Sequence, residues 1–288
     1  MIFSLCLTFS GIYVNINVQS FWKEACICNE KHNKDMNNIK NLIRKITEET
    51  ILSCGNGIIA PLGIRNNEIE CVDFSIIDNL IICGTVGSGK TTFVRTLMAS
   101  LISTNKPEKI KFCLFNSKKT DYIEFSNVPH LIMPVISDAK KCIGMMLYVL
   151  SEAQKREQAI NEKGEDVDVP EIFLVLDDYA NVSKEPNVQE TLCDLLKIAH
   201  RVKVHVIIVT SIALARIIST ELKVLVPHRI SFFLPEKVNS RVVIDQNGAE
   251  TLEMPGEFIS KFHGKVRKYR SIELSNSEIK QACEMGKK

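Results

Sequence analysis

The 288-residue chain is 45% hydrophobic and 24% charged, the composition of a folded globular protein long enough to bury one large core. Its formal net charge of +2 excludes any argument for a nucleic-acid or membrane partner from bulk electrostatics, so a local surface must meet such a partner. Ten scattered cysteines, several inside apolar runs, suit reduced, buried thiols of a cytosolic protein and not a disulfide framework.

At the start of the chain Phe3, Leu5, Leu7 and Phe9 alternate with small or polar residues. Gly11 intervenes, and Ile12, Val14, Ile16 and Val18 alternate again. A period of two broken at a glycine predicts two short strands. No positive stretch precedes this apolar run and it is too short to span a bilayer, which argues against a signal peptide or an anchor. Cys26, Cys28 and His32 could begin a metal site, but no second ligand pair follows at a zinc spacing. Met36, Ile39, Leu42, Ile43 and Ile46 mark one face of a helix that runs to about residue 49. Residues 1–60 therefore read as a small appendage, two strands and a helix, ahead of a main domain over 61–288.

Pro61-Leu62-Gly63 opens that domain, and Ile69 to Phe74 suits a strand. Leu80-Ile81-Ile82-Cys83 is a short apolar run of the kind a buried parallel strand needs. It leads into Gly84-Thr85-Val86-Gly87-Ser88-Gly89-Lys90-Thr91, which fits G-x-x-x-x-G-K-[ST], the phosphate-cradling P-loop. Phe93, Leu97, Met98, Leu101 and Ile102 then recur at helical spacing through residue 103. Glycines let the loop curl so that successive N–H groups face inward, and the helix dipole adds positive potential beneath them. The stretch from Gly84 to Thr92 is thus a candidate cradle for ATP phosphates. Lys90 would reach the β- and γ-phosphates, and the Thr91 hydroxyl would ligate Mg²⁺. A glycine-rich turn with a surface lysine would not require both flanking elements.

Phe112 to Phe115 form the next apolar strand, ending at Asn116-Ser117-Lys118-Lys119. Ala139, Ile143, Met146, Leu147, Leu150 and Ala153 trace a long helix that turns polar at Lys155, Arg156 and Glu157, followed by an acidic loop over 161–170. Ile172 to Leu176 then run into Asp177-Asp178. A central strand ending in an acid beside a P-loop is the Walker B arrangement, with Asp177 expected to hold Mg²⁺. Val188, Leu192, Leu195, Leu196 and Ala199 face inward on another helix, Val204 to Val209 give a strand ending at Thr210-Ser211, and Ile230 to Leu234 give one more. Strands alternating with helices predict an α/β fold, a mostly parallel twisted sheet with helices on both faces, with nucleotide at the carboxyl ends of its strands.

From about residue 61 to 282 the order of pieces resembles the FtsK/SpoIIIE family of ring-forming DNA translocases. The resemblance rests on Pro61-Leu62-Gly63, on GTVGSGKT, and on FNSKKTDYIEFSNVPHLIMPVISDAKK. It continues through LVLDDYANV, VPHRISF and NSRVVIDQNGAETL, the last similar to the family's D-S-R-T-I-L-D-Q-x-G-A-E-x-L. It implies a RecA-like P-loop NTPase fold, an ATPase with ATP and magnesium as cofactors, double-stranded DNA as partner, and a homo-oligomeric ring, a hexamer. It also implies that Asp178 stands at the catalytic glutamate, that Thr210 and Ser211 are the sensor, and that Arg229 or Arg241 reaches a neighbour's phosphates in trans. Four positions depart from the family pattern. Asp178 replaces glutamate, Thr210-Ser211-Ile212-Ala213 replaces T-Q-R-P, Asn116 replaces aspartate, and Asn79 replaces histidine. A base one methylene shorter is expected to weaken hydrolysis while leaving nucleotide binding intact. Neither the family's membrane-spanning part nor its winged-helix module has a counterpart in this sequence, which points to a cytoplasmic motor core, membrane-associated only through partners. The Asp177-Asp178-Tyr179 triplet leans instead toward the type VII secretion motors, protein-export ATPases that would bring a secretion partner. A low-turnover ATP-binding scaffold is the third reading.

Overall fold

Apolar runs without polar alternation become strands covered on both faces, and those with alternating polar residues become strands covered on one. The computed structural model describes residues 16–17, 57–164 and 169–287. Its strands are β1 (Ile16–Asn17), β2 (Ile59–Arg65), β3 (Glu68–Asp73), β4 (Leu80–Cys83), β5 (Ile110–Asn116), β6 (Glu171–Asp177), β7 (Val204–Thr210), β8 (His228–Phe232), β9 (Glu257–Phe262) and β10 (Lys265–Arg270). They form one sheet in the order β1-β3-β2-β10-β9-β8-β4-β7-β6-β5.

The sheet has two parts. From β8 to β5 every neighbour is parallel, with Cys83 level with Thr210 and Asn116 level with Asp177. This is the parallel sheet the sequence predicts, and all seven residues of β7 are buried. From β8 outward through β9, β10, β2, β3 and β1 every pairing is antiparallel. The sequence reading does not anticipate β9 and β10. In Lys265-Val266-Arg267-Lys268-Tyr269-Arg270 only Tyr269 is buried, so the strand carries no apolar periodicity to detect.

Among the described residues there are seven helices: α1 (Lys90–Thr104), α2 (Ala139–Lys163), α3 (Tyr179–Val182), α4 (Val188–Ala199), α5 (Thr220–Leu225), α6 (Lys237–Ile244) and α7 (Asn276–Met285). Phe93, Leu97 and Ile102 of α1 join Ile279 and Ala282 of α7 over one face. Met146 and Val149 of α2 join Leu192 and Leu195 of α4 over the other. Helices on both faces are thus observed. The Asp138 carboxylate caps α2, and Gly164 at φ 67° ends it, so the helix runs into the expected acidic loop. Arg156, expected at that helix's polar end, is buried because its guanidinium donates to the Val202 carbonyl at 3.1 Å.

The first predicted strand, over 3–9, the predicted helix ending near 49 and the Cys26, Cys28, His32 triplet lie outside the described residues; of the second predicted strand, over 12–18, only Ile16–Asn17 is described, as β1. Strand β2 runs across the boundary expected at residue 60, and β1 pairs with β3 at Ile16 and Ile69. Cys71, Cys83, Cys113, Cys142 and Cys283 are buried, whereas Cys193 is only partly covered. No described helix is long and apolar enough to cross a membrane.

Candidate functional site

The parallel register brings the carboxyl ends of β4, β5, β6 and β7 to one rim, and an open cleft of about 710 Å³ lies there. Residues 84–89 connect β4 to α1 along its floor. Gly84 is required by packing, since a Cβ there would sit 2.5 Å from that of Phe232. Gly89 precedes α1 at φ 107°, a backbone conformation that strains any L side chain. The loop is tied down by Thr85 N–H to the Phe233 carbonyl (2.9 Å) and by Gly256 N–H to the Ser88 carbonyl (3.0 Å). Lys90 is 8% exposed, and its ammonium donates to the Thr85 carbonyl at 2.9 Å. Burial lowers its pKa, against the pull of Cys83, Asp177 and Asp178, so the ammonium is poorly solvated and primed for an anion.

Asp177 at the end of β6 is 4% exposed. Its Oδ2 accepts from the Thr91 hydroxyl at 3.1 Å, the Asn116 amide at 3.0 Å and the Tyr122 hydroxyl at 2.8 Å. Burial raises its pKa, while those three donors and Lys90 hold it back. Asp178 adopts φ 77°, which costs about 1 kcal/mol for a non-glycine residue. That turn places its Oδ2 2.6 Å from the Ser117 hydroxyl. Thr210 is fully buried and receives the Ile212 N–H on its hydroxyl at 3.1 Å. Val86, Thr92, Thr210 and Ser211 all line the cleft.

The two arginines stand elsewhere. Neither lines the cleft. Arg229, in β8 beside Ile81, is 6% exposed and binds Asp245 at 2.8 Å. Arg241 on α6 is exposed, its Nε donating to the Asn247 side chain at 2.8 Å.

Sequence reasoning missed the opposite wall. The turn Glu253-Met254-Pro255-Gly256-Glu257 and the segment from Arg270 to Glu273 face the phosphate loop across the cleft. The Met254 sulfur lies 3.8 Å from the Thr85 hydroxyl. No motif marks this wall; the nearest signal is Gly256 at φ 101°, whose main chain bonds to both the P-loop and Ser271. Among the described residues, six carboxylates line the cleft, Asp121, Asp177, Asp178, Glu253, Glu257 and Glu273, against the three cations Lys90, Lys118 and Arg270. That balance favours additional positive charge arriving with any polyphosphate.

Residues 56–170, which hold the phosphate loop and the Asn116–Tyr122 segment, match the FtsK/SpoIIIE family. The P-loop region belongs to that family. Two relatives of FtsK/SpoIIIE type extend the likeness beyond it. One is the DNA translocase FtsK of Leptospira interrogans, 26% identical over 239 residues, covering 75% of this chain and 25% of the relative. The other is the DNA translocase FtsK of Clostridium tetani, 28% identical over 250 residues, covering 80% and 34%. This chain therefore spans a quarter to a third of those relatives. Among solved structures, the pCW3 conjugation coupling protein TcpA with ATPγS has a TM-score of 0.70 at 16% identity, covering 80% of this chain and 71% of TcpA. EssC (ATPases 2 and 3) of Geobacillus thermodenitrificans has a TM-score of 0.68 at 17% identity, covering 80% and 49%. The phosphate-loop region thus matches the FtsK/SpoIIIE family, and the fold is that of TcpA and EssC.

Proposed function

We propose that this chain is the motor domain of an ATP-driven translocase of double-stranded DNA, working as a homo-oligomeric ring. The observation that carries the reading is the meeting of the Thr91 hydroxyl with the Asp177 carboxylate at 3.1 Å, from segments 86 residues apart. Those two side chains fit magnesium, Thr91 through its hydroxyl oxygen and Asp177 through Oδ1, which accepts none of the three bonds described. Bound there, the ion would supply the positive charge that the β- and γ-phosphates of ATP need.

Each protein group then has a task. The N–H groups of residues 84–91 hold the phosphates, and Lys90 exchanges its bond to the Thr85 carbonyl for one to phosphate. Asp178, steadied by Ser117, orients the attacking water and takes its proton, and Thr210 and Ser211 face the γ-phosphate end. The cleft's negative excess favours a further cation from a neighbouring subunit. Arg241 suits that task better than Arg229, because its guanidinium is exposed while that of Arg229 is buried against Asp245. The DNA substrate is inferred from the likeness to the Leptospira and Clostridium DNA translocases.

Measuring ATP turnover of purified protein with and without duplex DNA, together with its oligomeric mass, tests the reading. Stimulation by DNA with a ring-sized assembly is expected. Turnover indifferent to DNA, with no salt-sensitive DNA binding, would refute the DNA substrate and favour an export ATPase. A second reading, a low-turnover ATP-binding scaffold, is favoured by Asp178, whose shorter side chain is engaged by Ser117 at 2.6 Å. Asp178→Glu separates the two. A gain of about tenfold or more marks a throttled base, within the range general bases contribute.

A further inference from the structure

The Asp177 carboxylate receives three donors on one oxygen, and two of them come from a segment outside the phosphate loop and Walker B strand. Tyr122 lies at a kink (φ −126°, ψ 24°) in the 3-10 turn Lys119–Phe125. It is fully buried, its ring 5.9 Å from that of Phe125, and its hydroxyl donates to Asp177 Oδ2 at 2.8 Å. Asn116 ends β5 directly beside Asp177. Its carbonyl oxygen takes the Lys118 N–H at 2.6 Å, which turns its amide toward Asp177 Oδ2 at 3.0 Å. A carboxylate oxygen with three donors has no free lone-pair direction left, so only Oδ1 of this carboxylate remains for a further ligand.

We propose that Tyr122, with Asn116, is a positioning residue for the metal: it locks the Asp177 carboxylate so that Oδ1 faces the cation beside Thr91. The inference rests on the ATP–magnesium reading above. An aspartate at position 116 would face Asp177 as a second carboxylate at that same 3.0 Å separation, and the two charges would repel. Asparagine at 116 and tyrosine at 122 instead make both neighbours donors, so Asp177 is free to serve the ion alone. Outer partners of this kind typically change metal affinity by about 10- to 100-fold.

The test is a magnesium titration of the binding of a fluorescent, non-hydrolysable ATP analogue to the full chain. It is made on the wild type and on Tyr122→Phe, which keeps the buried ring. The expected result is a magnesium midpoint raised about tenfold in Tyr122→Phe, in line with outer-partner effects, with analogue affinity in EDTA unchanged. Asn116→Leu removes a second donor from the same oxygen and carries the same expectation, so the outcome does not hang on one variant folding. Equal midpoints in wild type and both variants would overturn the inference and leave the ATP–magnesium reading standing. A wild type whose analogue binding ignores magnesium would remove that reading, and this one with it.

Discussion

The parallel and antiparallel halves of the sheet are built on different terms. Strands β4, β6 and β7 lie between helices on both faces, and most of their residues are apolar until the last one at the carboxyl end. His205, His228 and Arg229 are buried within β7 and β8, but the residues of the parallel strands that meet the cleft, Asn116, Asp177 and Thr210, stand at the carboxyl rim. From β9 outward the strands carry many charged residues, and ion pairs hold them together. Glu70 of β3 is fully buried and accepts from Arg65 of β2 at 2.5 Å and from the Tyr269 hydroxyl of β10 at 2.5 Å, with Arg267 at 3.5 Å. In the proposed function the parallel half would hold phosphate through main-chain geometry. The antiparallel half contributes Glu257 and Arg270 to the opposite wall of the cleft.

Replacing one group in each half sharpens that division. Lys90→Ala carries the largest effect. Nucleotide binding and turnover should fall by about 10²–10³-fold, the loss seen when one fixed electrostatic donor to a reacting group is removed. Stability should hold or rise, because burial already works against the Lys90 ammonium in the absence of a phosphate. Paired calorimetry of ligand binding and of thermal unfolding checks both halves of the statement. Glu70→Ala comes next and reverses the pattern. Removing the shared carboxylate leaves Arg65 and the buried Tyr269 hydroxyl without it, at a cost of about 3 kcal/mol of stability. Phosphate-loop chemistry should change little. Urea unfolding and nucleotide affinity of the variant measure the two sides separately, and a Glu70→Ala protein that lost nucleotide binding while remaining folded would break the division.

The same contrast explains what could be read from the sequence. Gly84, Gly89, Lys90, Thr91 and Asp177 were legible because a phosphate cradle demands particular residue types at particular spacings. The apolar runs around them set the parallel strands, with β8 displaced by two residues from the expected Ile230 start because His228 and Arg229 are buried in it despite their polarity. Tyr122 was not legible. Its task depends on a kinked turn folding back beneath β6, and nothing in Thr120-Asp121-Tyr122-Ile123 announces that. The wall at 253–257 was hidden for the same reason: its contribution is a main-chain path held by hydrogen bonds, and such a path has no residue code. Arg229 was read from a matching string and not from its surroundings. A basic residue in a matching string suggested a catalytic cation, while its guanidinium is buried against Asp245.

The seam between the halves offers the smallest effect and the most direct view of their coupling. Strand β8 is parallel to β4 on one side and antiparallel to β9 on the other, and His228 starts it. Its ring packs edge-on against His263, with centroids 4.7 Å apart, just past the end of β9. Burial, then the neighbouring His263, hold the His228 pKa down at about 4 from an ordinary 6.5, with Asp78 pulling the other way and Arg229 adding the smallest push down. A folded pKa below the unfolded one means the unfolded chain takes the proton first. The stability this neutral ring allows is therefore complete above pH 6.5 and is lost as pH falls from 6.5 toward 4. Between pH 7.5 and 5 the loss from this group should be about 2 kcal/mol. His228→Leu should remove that part of the pH dependence, leaving the variant relatively more stable at pH 5 than the wild type when each is referred to its own value at pH 7.5. Urea midpoints at the two pH values measure it. If wild type and variant lose stability in parallel, the seam tolerates a charged ring, and the antiparallel half must be able to part from β8 without unfolding the parallel one.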